Sequence, residues 1–216
     1  MPRLMAAIYD RALRGSEDAG LREWRQQLLS GLGGDVLEIG PGTGLNLPHY
    51  PETVRRLVLS EPDRHMRRKL AGKLERPGDI PAHVRERAEL VDAPAETLPF
   101  PDRSFDAVVV TLVLCSVRDL PRTLAEIRRV LRPGGRFVFV EHVASDDPKV
   151  VRWQKRLEPF WIHLAGNCHL ARRSGDAIAA SGLEIESLES VSIPKTIAIG
   201  RPGIRGVARK PVTAGA

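Results

Sequence analysis

The nine residues from Val36 to Gly44 constrain the fold of this chain more than any other stretch. They begin with a short apolar run and continue with glycines at alternate positions: Gly40, Gly42 and Gly44. Glycine adopts positive φ angles and lets a ligand approach the main chain closely, so the pattern predicts a β-strand, a tight turn and a nucleotide-binding crevice. A dinucleotide-binding turn would carry its third glycine at position 45, where this chain has Leu45.

An acidic residue, Glu61, ends the next predicted strand, 21 residues after Gly40. An acid at about this distance from the glycine turn binds a ribose in related folds, because a carboxylate accepts hydrogen bonds from both hydroxyls. The alternative is that Glu61-Pro62-Asp63 only begins the helix that follows. The glycine turn and the acid together favour the cofactor interpretation.

Hydrophobic periodicity and Gly/Pro punctuation divide the rest of the chain into helices and strands. The predicted strands are 35–39, 57–60, 89–92, 105–112, 136–142, 183–193 and 203–210. The predicted helices are 4–13, 17–30, 51–55, 63–75, 120–131, 148–173 and 174–180, with a break near Gly15. This alternation predicts an α/β fold: a doubly wound, Rossmann-like, mostly parallel seven-stranded sheet with helices on both faces and a C-terminal antiparallel hairpin.

Composition indicates an ordinary globular chain of 216 residues with a formal net charge of +6. The basic residues are 27 Arg and 6 Lys, a bias that a GC-rich bacterial genome would produce. They are scattered among acids, which leaves open a surface for anionic lipid or an acidic substrate. Two cysteines do not make a disulfide framework, and neither an apolar leader nor a membrane span is predicted, so we expect a cytoplasmic location.

The chain resembles class I S-adenosylmethionine-dependent methyltransferases, of the type 11 group that includes quinone-biosynthesis enzymes. The matching motifs are LEIGPGTG at 37–44, Glu61, AETLPFPDRSFDAVVV at 95–110 and RVLRPGGRFVFVEHV at 129–143. Within that group it is similar to the mammalian methyltransferase-like thiol methyltransferases. The motifs for this likeness are TLVLCSV at 111–117, EHVA at 141–144, and Glu158-Pro159-x-Trp161 leading to NCHLAR at 167–172.

The resemblance covers nearly the full chain and implies a single methyltransferase domain, residues 1–216. It comprises N-terminal helices (1–34), a cofactor-binding core (35–147), a helical acceptor-site cap (148–182) and a C-terminal hairpin (183–216). The implied cofactor is S-adenosylmethionine, with S-adenosylhomocysteine as the product and no metal. The implied partner is a small-molecule methyl acceptor; nucleic acid is not expected, and the oligomeric state stays open.

The resemblance also implies roles for individual residues. The turn glycines would lie beneath the methionine and ribose parts of the cofactor, and Glu61 would hold the ribose hydroxyls. The implied cofactor-binding residues are Glu38, Gly40, Pro41, Gly42, Gly44, Asn46, Glu61, Pro62, Met66, Ala95, Glu96, Thr111 and Leu112. The chain departs from the family at one point: Pro94 stands where many members bind adenine through an acid, and Asp92 lies two residues earlier.

Methyl transfer from a sulfonium is an in-line displacement that requires positioning and exclusion of water. A thiol acceptor ionises readily, whereas an amine or carbon acceptor needs a general base. His142 is the first candidate for that base and His169 the second; the alternative for each is a polar residue at the end of an element. Cys115 and Cys168 are more consistent with inert buried thiols than with nucleophiles.

Three other classes of function compete with a small-molecule methyltransferase: an oxidoreductase, a nucleic-acid methyltransferase and a non-catalytic binding protein. A nicotinamide oxidoreductase is disfavoured by Leu45 and by the lack of a Tyr-x-x-x-Lys motif, and a nucleic-acid methyltransferase by TLVLCS at 111–116 instead of Asp/Asn-Pro-Pro-Tyr. We therefore predict methyl transfer to a small lipophilic acceptor, a thiol first. A quinone precursor, a phospholipid amine, or S-adenosylmethionine binding without catalysis are the alternatives.

Overall fold

The computed structural model describes residues 13–76, 78 and 80–212. The helices are α1 (Arg22–Leu29), α2 (Arg64–Leu74), α3 (Ala82–Arg87), α4 (Leu120–Val130), α5 (Pro148–Leu164) and α6 (Ser174–Ala180). The strands are β1 (Gly34–Ile39), β2 (Val54–Ser60), β3 (Ala88–Val91), β4 (Phe105–Thr111), β5 (Leu131–His142), β6 (Glu184–Ser192) and β7 (Pro202–Arg209). A π-helical segment, Glu17–Leu21, precedes α1.

Within the described residues the strands form one seven-stranded sheet in the order β3-β2-β1-β4-β5-β7-β6. Strands β1 to β5 pair in parallel, and β7 runs antiparallel to both β5 and β6. The predicted fold class is thereby confirmed, and β7 lies between β5 and the edge strand β6. The strand order reverses between β1 and β4, which is where an open α/β sheet forms its ligand crevice.

Both faces of the central strand β4 are buried, as the continuous apolar run at 105–112 predicts. Val108 and Val110 belong to the core cluster that includes residues of α4 and α6. Val109 belongs to the opposite cluster, with residues of α1, α2 and α3. Helices therefore cover both faces, so a ligand reaches the sheet at the carboxyl ends of its strands.

The break in the N-terminal helical region lies at Gly20, and the prediction near Gly15 is wrong. Gly20 has a φ of 134°, which a residue without Cβ adopts at no steric cost. Gly15 lies within residues 13–16, which are regular α-helix. The predicted helix 4–13 lies outside the described residues except for its last position.

The helix predicted at 51–55 is wrong, because β2 already begins at Val54. Val54 pairs with Gly34 at the start of β1, and only a two-residue turn separates it from Pro51. Pairing with the neighbouring strand overrides the weak helical preference of these few residues.

Strand β5 begins at Leu131, five residues before its predicted start at Arg136. Leu131 lies opposite Phe105 while Arg136 lies opposite Ala107, so residues 132–135 bulge out of the ladder. Pro133-Gly134-Gly135 therefore forms an irregular first part of the strand, whereas the sequence pattern indicated a separate turn.

Helix α5 ends at Leu164, nine residues before the end of its predicted range at Arg173. Gly166 and Asn167 follow it with φ angles of 62° and 69°, in the left-handed region that ends helices. Among the helices that the structure describes, α5 included, none combines the length and the apolar character needed to cross a bilayer.

Candidate active site

The glycine turn after β1 is enclosed from both sides. Gly40, Gly42 and Gly44 have φ angles of 65°, 58° and 83°, which favour glycine. A Cβ on Gly40 would lie 2.6 Å from Cγ2 of Val113, and a Cβ on Gly44 would lie 2.7 Å from Cδ1 of Leu47. Side chains would not fit at either position, so the bare main chain of the turn faces the crevice.

The Glu61 carboxylate joins this turn to the start of α2. Its Oε2 accepts a hydrogen bond from the Gly42 N–H at 2.9 Å, and its Oε1 accepts one from the Asp63 N–H at 2.9 Å. Burial raises the pKa of Glu61, and these N–H donors oppose the rise. A carboxylate can accept about four hydrogen bonds, so each oxygen keeps capacity for a hydroxyl of a bound ribose.

A cavity of about 730 Å³ opens at the carboxyl ends of β1, β2 and β4. This volume lies within the range of about 300–1,000 Å³ that is usual for small-molecule sites. Eight of the predicted cofactor-binding residues line it: Gly40, Gly42, Glu61, Pro62, Met66, Ala95, Glu96 and Leu112. The other predicted residues lie behind or beside these: Glu38, Pro41, Gly44, Asn46 and Thr111 are not part of the lining.

A buried polar network lies behind the turn and contains three of the five predicted residues outside the lining: Glu38, Asn46 and Thr111. The Glu38 carboxylate accepts from Asn46 Nδ2 at 2.8 Å and from Tyr50 Oη at 2.7 Å. Asn46 Nδ2 also donates to Thr111 Oγ1 at 3.0 Å, and Asn46 Oδ1 accepts from Arg25 Nη1 at 2.8 Å. Burial raises the pKa of Glu38. The network links the ends of β1 and β4 to the N-terminal helix.

Side-chain acids near the predicted adenine position are engaged elsewhere. Asp92 forms an ion pair with Arg67 at 2.6 Å, and its side chain is 62% exposed. The Glu96 carboxylate accepts from the main-chain N–H groups of Arg118 and Asp119 at 2.7 and 3.3 Å. Residues 94–97 line the cavity, where an adenine ring could lie against them. The departure at Pro94 is therefore not compensated by Asp92.

The loop that follows β4 is held by a buried acid that the sequence analysis did not single out. Glu141 is fully buried, and its Oε1 accepts from the N–H groups of Val113 and Leu114 at 2.9 and 3.0 Å. Its Oε2 accepts from the N–H group of Cys115 at 3.4 Å. Leu112, just before these residues, lines the cavity with a φ of 58°. Glu141 thus fixes a strained turn in the wall of the cavity.

Known proteins resemble this chain in sequence and in fold. Residues 37–139 match the methyltransferase domain family. The human thiol S-methyltransferase TMT1A is 35% identical over 176 residues, which cover 81% of this chain and 70% of that protein. The chain belongs to the class I S-adenosylmethionine-dependent methyltransferases.

A bacterial relative and a solved structure show the same similarity in sequence and in fold, respectively. The phosphatidylethanolamine N-methyltransferase of Cereibacter sphaeroides is 34% identical over 154 residues, covering 71% of this chain and 72% of that protein. The crystal structure of the N-methyltransferase NodS from Bradyrhizobium japonicum, in complex with S-adenosyl-L-homocysteine, superposes with a TM-score of 0.63 at 18% identity. It covers 88% of this chain and 87% of that one, and shows the common fold.

The cofactor of this methyltransferase family fits the residues present. Glu61 offers unused acceptor capacity, the turn glycines expose their main chain, and Met66 and Pro94 add apolar surface to the cavity. Among residues 13–76, 78 and 80–212, no group of three or more His, Cys, Asp or Glu could hold a metal ion.

The two histidines predicted as base candidates in this methyltransferase do not line the cavity. His142 Nε2 lies 3.3 Å from the carbonyl oxygen of Ile199, so Nε2 carries the proton. Its buried Nδ1 has no hydrogen-bond partner among the described residues. His169 Nδ1 lies 3.2 Å from Glu158 Oε1, and the His169 main-chain N–H donates to the carbonyl oxygen of Cys115.

The loop at 165–173, which follows α5, is bound to the loop after β4. Arg172 Nη1 donates to the carbonyl oxygens of Leu114 and Val117, each at 2.7 Å. The thiols of Cys115 and Cys168 also interact: their hydrogen bond raises the pKa of Cys115 well above its ordinary value and lowers the pKa of Cys168. The two loops therefore form one wall, to which Gly166 contributes at the cavity.

Proposed function

We propose that this methyltransferase acts on a small lipophilic acceptor, and that the acceptor is a thiol. The bound cofactor supplies an electrophilic sulfonium methyl group. The chain would hold the acceptor in line with that group and exclude water. We assign the cofactor site to the core at 35–147 and the acceptor-site cap to 148–182; the position of Gly166 in the cavity wall supports this division.

The state of the ionisable groups in the cavity carries the thiol assignment. None of the described residues that line the cavity is a histidine. The carboxylates that line it accept from main-chain N–H groups: Glu61 from Gly42 and Asp63, Asp63 from His65 and Met66, Glu96 from Arg118 and Asp119, and Asp119 from Arg122. These groups serve the structure, so an acceptor that ionises by itself, with a pKa of about 8.5, suits the cavity.

The names of the relatives also support a thiol as the first candidate acceptor and a phospholipid amine as the second. The human relative is a thiol S-methyltransferase, and the bacterial one methylates the amine of a phospholipid by its name. A phospholipid amine or a quinone precursor is therefore the second candidate. These acceptors keep their proton at neutral pH or react through carbon, and would need a base.

Replacing Glu61 by alanine is expected to weaken binding of S-adenosylmethionine and S-adenosylhomocysteine by about 1.5–3 kcal/mol, or roughly 10- to 150-fold, because hydrogen bonds to a charged group are lost. Isothermal titration calorimetry with both ligands and with NAD measures this. Glu89→Ala, which removes an exposed carboxylate of β3, is the matched control and should bind as wild type does.

The outcomes separate the competing classes. Binding of NAD alone, or equal affinities of wild type and Glu61→Ala, would overturn the cofactor assignment. Tight binding with no turnover on small alkyl and aryl thiols, amines and quinols would indicate a non-catalytic binding protein. Turnover on thiols alone would establish the proposed acceptor class.

For acceptors that must lose a proton we propose His142 and His169 as bases; since neither lines the cavity, such an acceptor would have to extend beyond it to reach them. For His142→Asn we expect a roughly 100-fold or greater loss of transfer to an amine, the usual contribution of a general base, and little change for a thiol. Steady-state rates for a matched amine and thiol, with His163→Asn as an exposed control, test this. Equal losses for both acceptors would show that His142 is structural.

We further propose that the enzyme works in the cytoplasm of a bacterial cell, in peripheral contact with the membrane. Cys115 and Cys168 are free thiols and not a disulfide, which supports a reducing compartment. Fractionation of cells that express the chain would test the location, and recovery from the periplasm would contradict it.

A further inference from the structure

The outer face of α5 carries a stripe of large apolar side chains in water. Trp153, Phe160 and Leu164 are 54%, 72% and 66% exposed. Their spacing of seven and four residues places all three on one side of the helix. Single exposed apolar residues are ordinary, but a contiguous row on one helix marks a surface that contacts something apolar.

A row of cations runs beside this stripe. Lys149, Arg152 and Arg156 are exposed and are spaced by three and four residues, so they share a face that adjoins the apolar side chains. Arg156 also lies over the Trp153 ring at 5.6 Å. The outer face of α5 therefore combines bulky apolar groups with positive charge.

The acid of this helix is turned away from that face. Glu158 Oε1 lies 3.2 Å from His169 Nδ1, and its Oε2 accepts from the Ala171 N–H at 2.8 Å. The buried Gln154 fixes the same inner side, since its Nε2 donates to the carbonyl oxygens of Val143 and Ile199. The outer face is left without a negative charge of its own, although Asp146 and Asp147 lie just before the helix.

We propose that the outer face of α5 docks on the surface of an anionic phospholipid bilayer. A helix with basic residues beside Trp, Phe and Leu lies in the plane of the interface, with its rings at the headgroup boundary. The cations would lie over lipid phosphates. This inference rests on the proposed function in one respect only, which is the reason for docking. Gly166 lies two residues after the end of the helix and lines the cavity, so a lipophilic acceptor could enter the cavity from the bilayer.

Sedimentation of the full chain with vesicles tests the proposal without cofactor or acceptor, so its outcome is independent of methyl transfer. Vesicles of phosphatidylcholine alone are compared with vesicles of equal parts phosphatidylcholine and phosphatidylglycerol. We expect binding to the anionic vesicles that weakens as salt is added. The triple variant Lys149→Gln, Arg152→Gln, Arg156→Gln should bind roughly 100-fold more weakly, at about fivefold per cation.

Two further variants make the result specific to this face. Phe160→Ser should weaken binding roughly tenfold through lost apolar burial. The remote triple variant Arg55→Gln, Arg64→Gln, Arg68→Gln changes the net charge equally on exposed residues elsewhere and should bind nearly as wild type does. No binding to anionic vesicles, equal binding to both vesicle types, or equal losses for the two triple variants would overturn the proposal. Circular dichroism confirms that each variant is folded.

Discussion

Replacing Arg25 by alanine is expected to lower the free energy of unfolding by about 3–5 kcal/mol, because it leaves a buried carboxylate without its partner. Arg25 Nη2 lies 3.0 Å from Glu17 Oε1, and the two side chains are only 5% and 7% exposed. The same guanidinium donates to Asn46 Oδ1. Denaturant unfolding followed by circular dichroism measures the change.

Arg22 provides the matched control for Arg25. It pairs with Asp18 at 2.8 Å on the same helical segment, but these side chains are 61% and 54% exposed. We expect Arg22→Ala to cost less than about 0.5 kcal/mol, because exposed pairs are screened by water. The double variant Glu17→Ala, Arg25→Ala should recover part of the loss, since no lone buried charge remains. Equal losses for Arg22→Ala and Arg25→Ala would contradict the role of burial.

The Arg25 network also connects stability to the site. Asn46 accepts a hydrogen bond from Arg25 and donates two, to Glu38 at the end of β1 and to Thr111 at the end of β4. The crevice opens between these two strands. Loss of Arg25 should therefore loosen the glycine turn at the cavity, although Arg25 itself is not part of the cavity lining.

Glu141→Gln is expected to flatten the pH dependence of stability between about pH 5 and 8. Burial raises the pKa of Glu141 from its ordinary value of 4.5 to about 8 in the folded chain. The folded state thus keeps a proton that the unfolded chain has released. Retaining this proton stabilises the folded state. The contribution is fully present below the pKa of Glu141 in the unfolded chain, and it is lost as the pH rises through the pKa of Glu141 in the folded chain.

At about 1.4 kcal/mol per pH unit, the wild type should lose on the order of 3–4 kcal/mol of stability between pH 5 and 8 through Glu141. The amide of Glu141→Gln does not titrate, so unfolding measured from pH 5 to 8 should show a shallower slope. Glu126→Gln is the control: Arg129 lowers the pKa of Glu126, so its contribution is constant throughout this range. Coincident slopes for wild type and Glu141→Gln would contradict the prediction.

The prediction for Glu141 bears on the mechanism as well as on stability. Its carboxyl oxygens accept from three successive N–H groups beside Leu112, whose φ of 58° costs a side-chain-bearing residue about 1–2 kcal/mol. Such strain persists only where the surroundings enforce it. The acid of the EHVA motif is therefore a positioning residue for the part of the cavity wall that follows β4.

The glycine turn and the acid after β2 could be predicted from the sequence because their roles depend on residue type. Gly40 needs positive φ and a missing Cβ, and Glu61 needs a carboxylate at the end of a strand. The fold class could be predicted for a similar reason, since the run at 105–112 is apolar without interruption and requires cover on both faces. The predicted boundaries of helices and strands were wrong where pairing between strands determines them, as at Val54.

Two of the buried acids could not be assigned from the sequence. Glu141 receives N–H groups that lie 26 to 28 residues earlier in the chain, and any residue type supplies the same N–H. Glu17 and Arg25 look like one more pair on a charged helix, as Asp18 and Arg22 do. The sequence by itself determined the sheet, the turn and the acid at its edge, because these follow from side-chain chemistry and periodicity. Only the tertiary structure decided which charges are buried and which main-chain groups they bind, because burial and hydrogen bonding depend on segments distant in the chain.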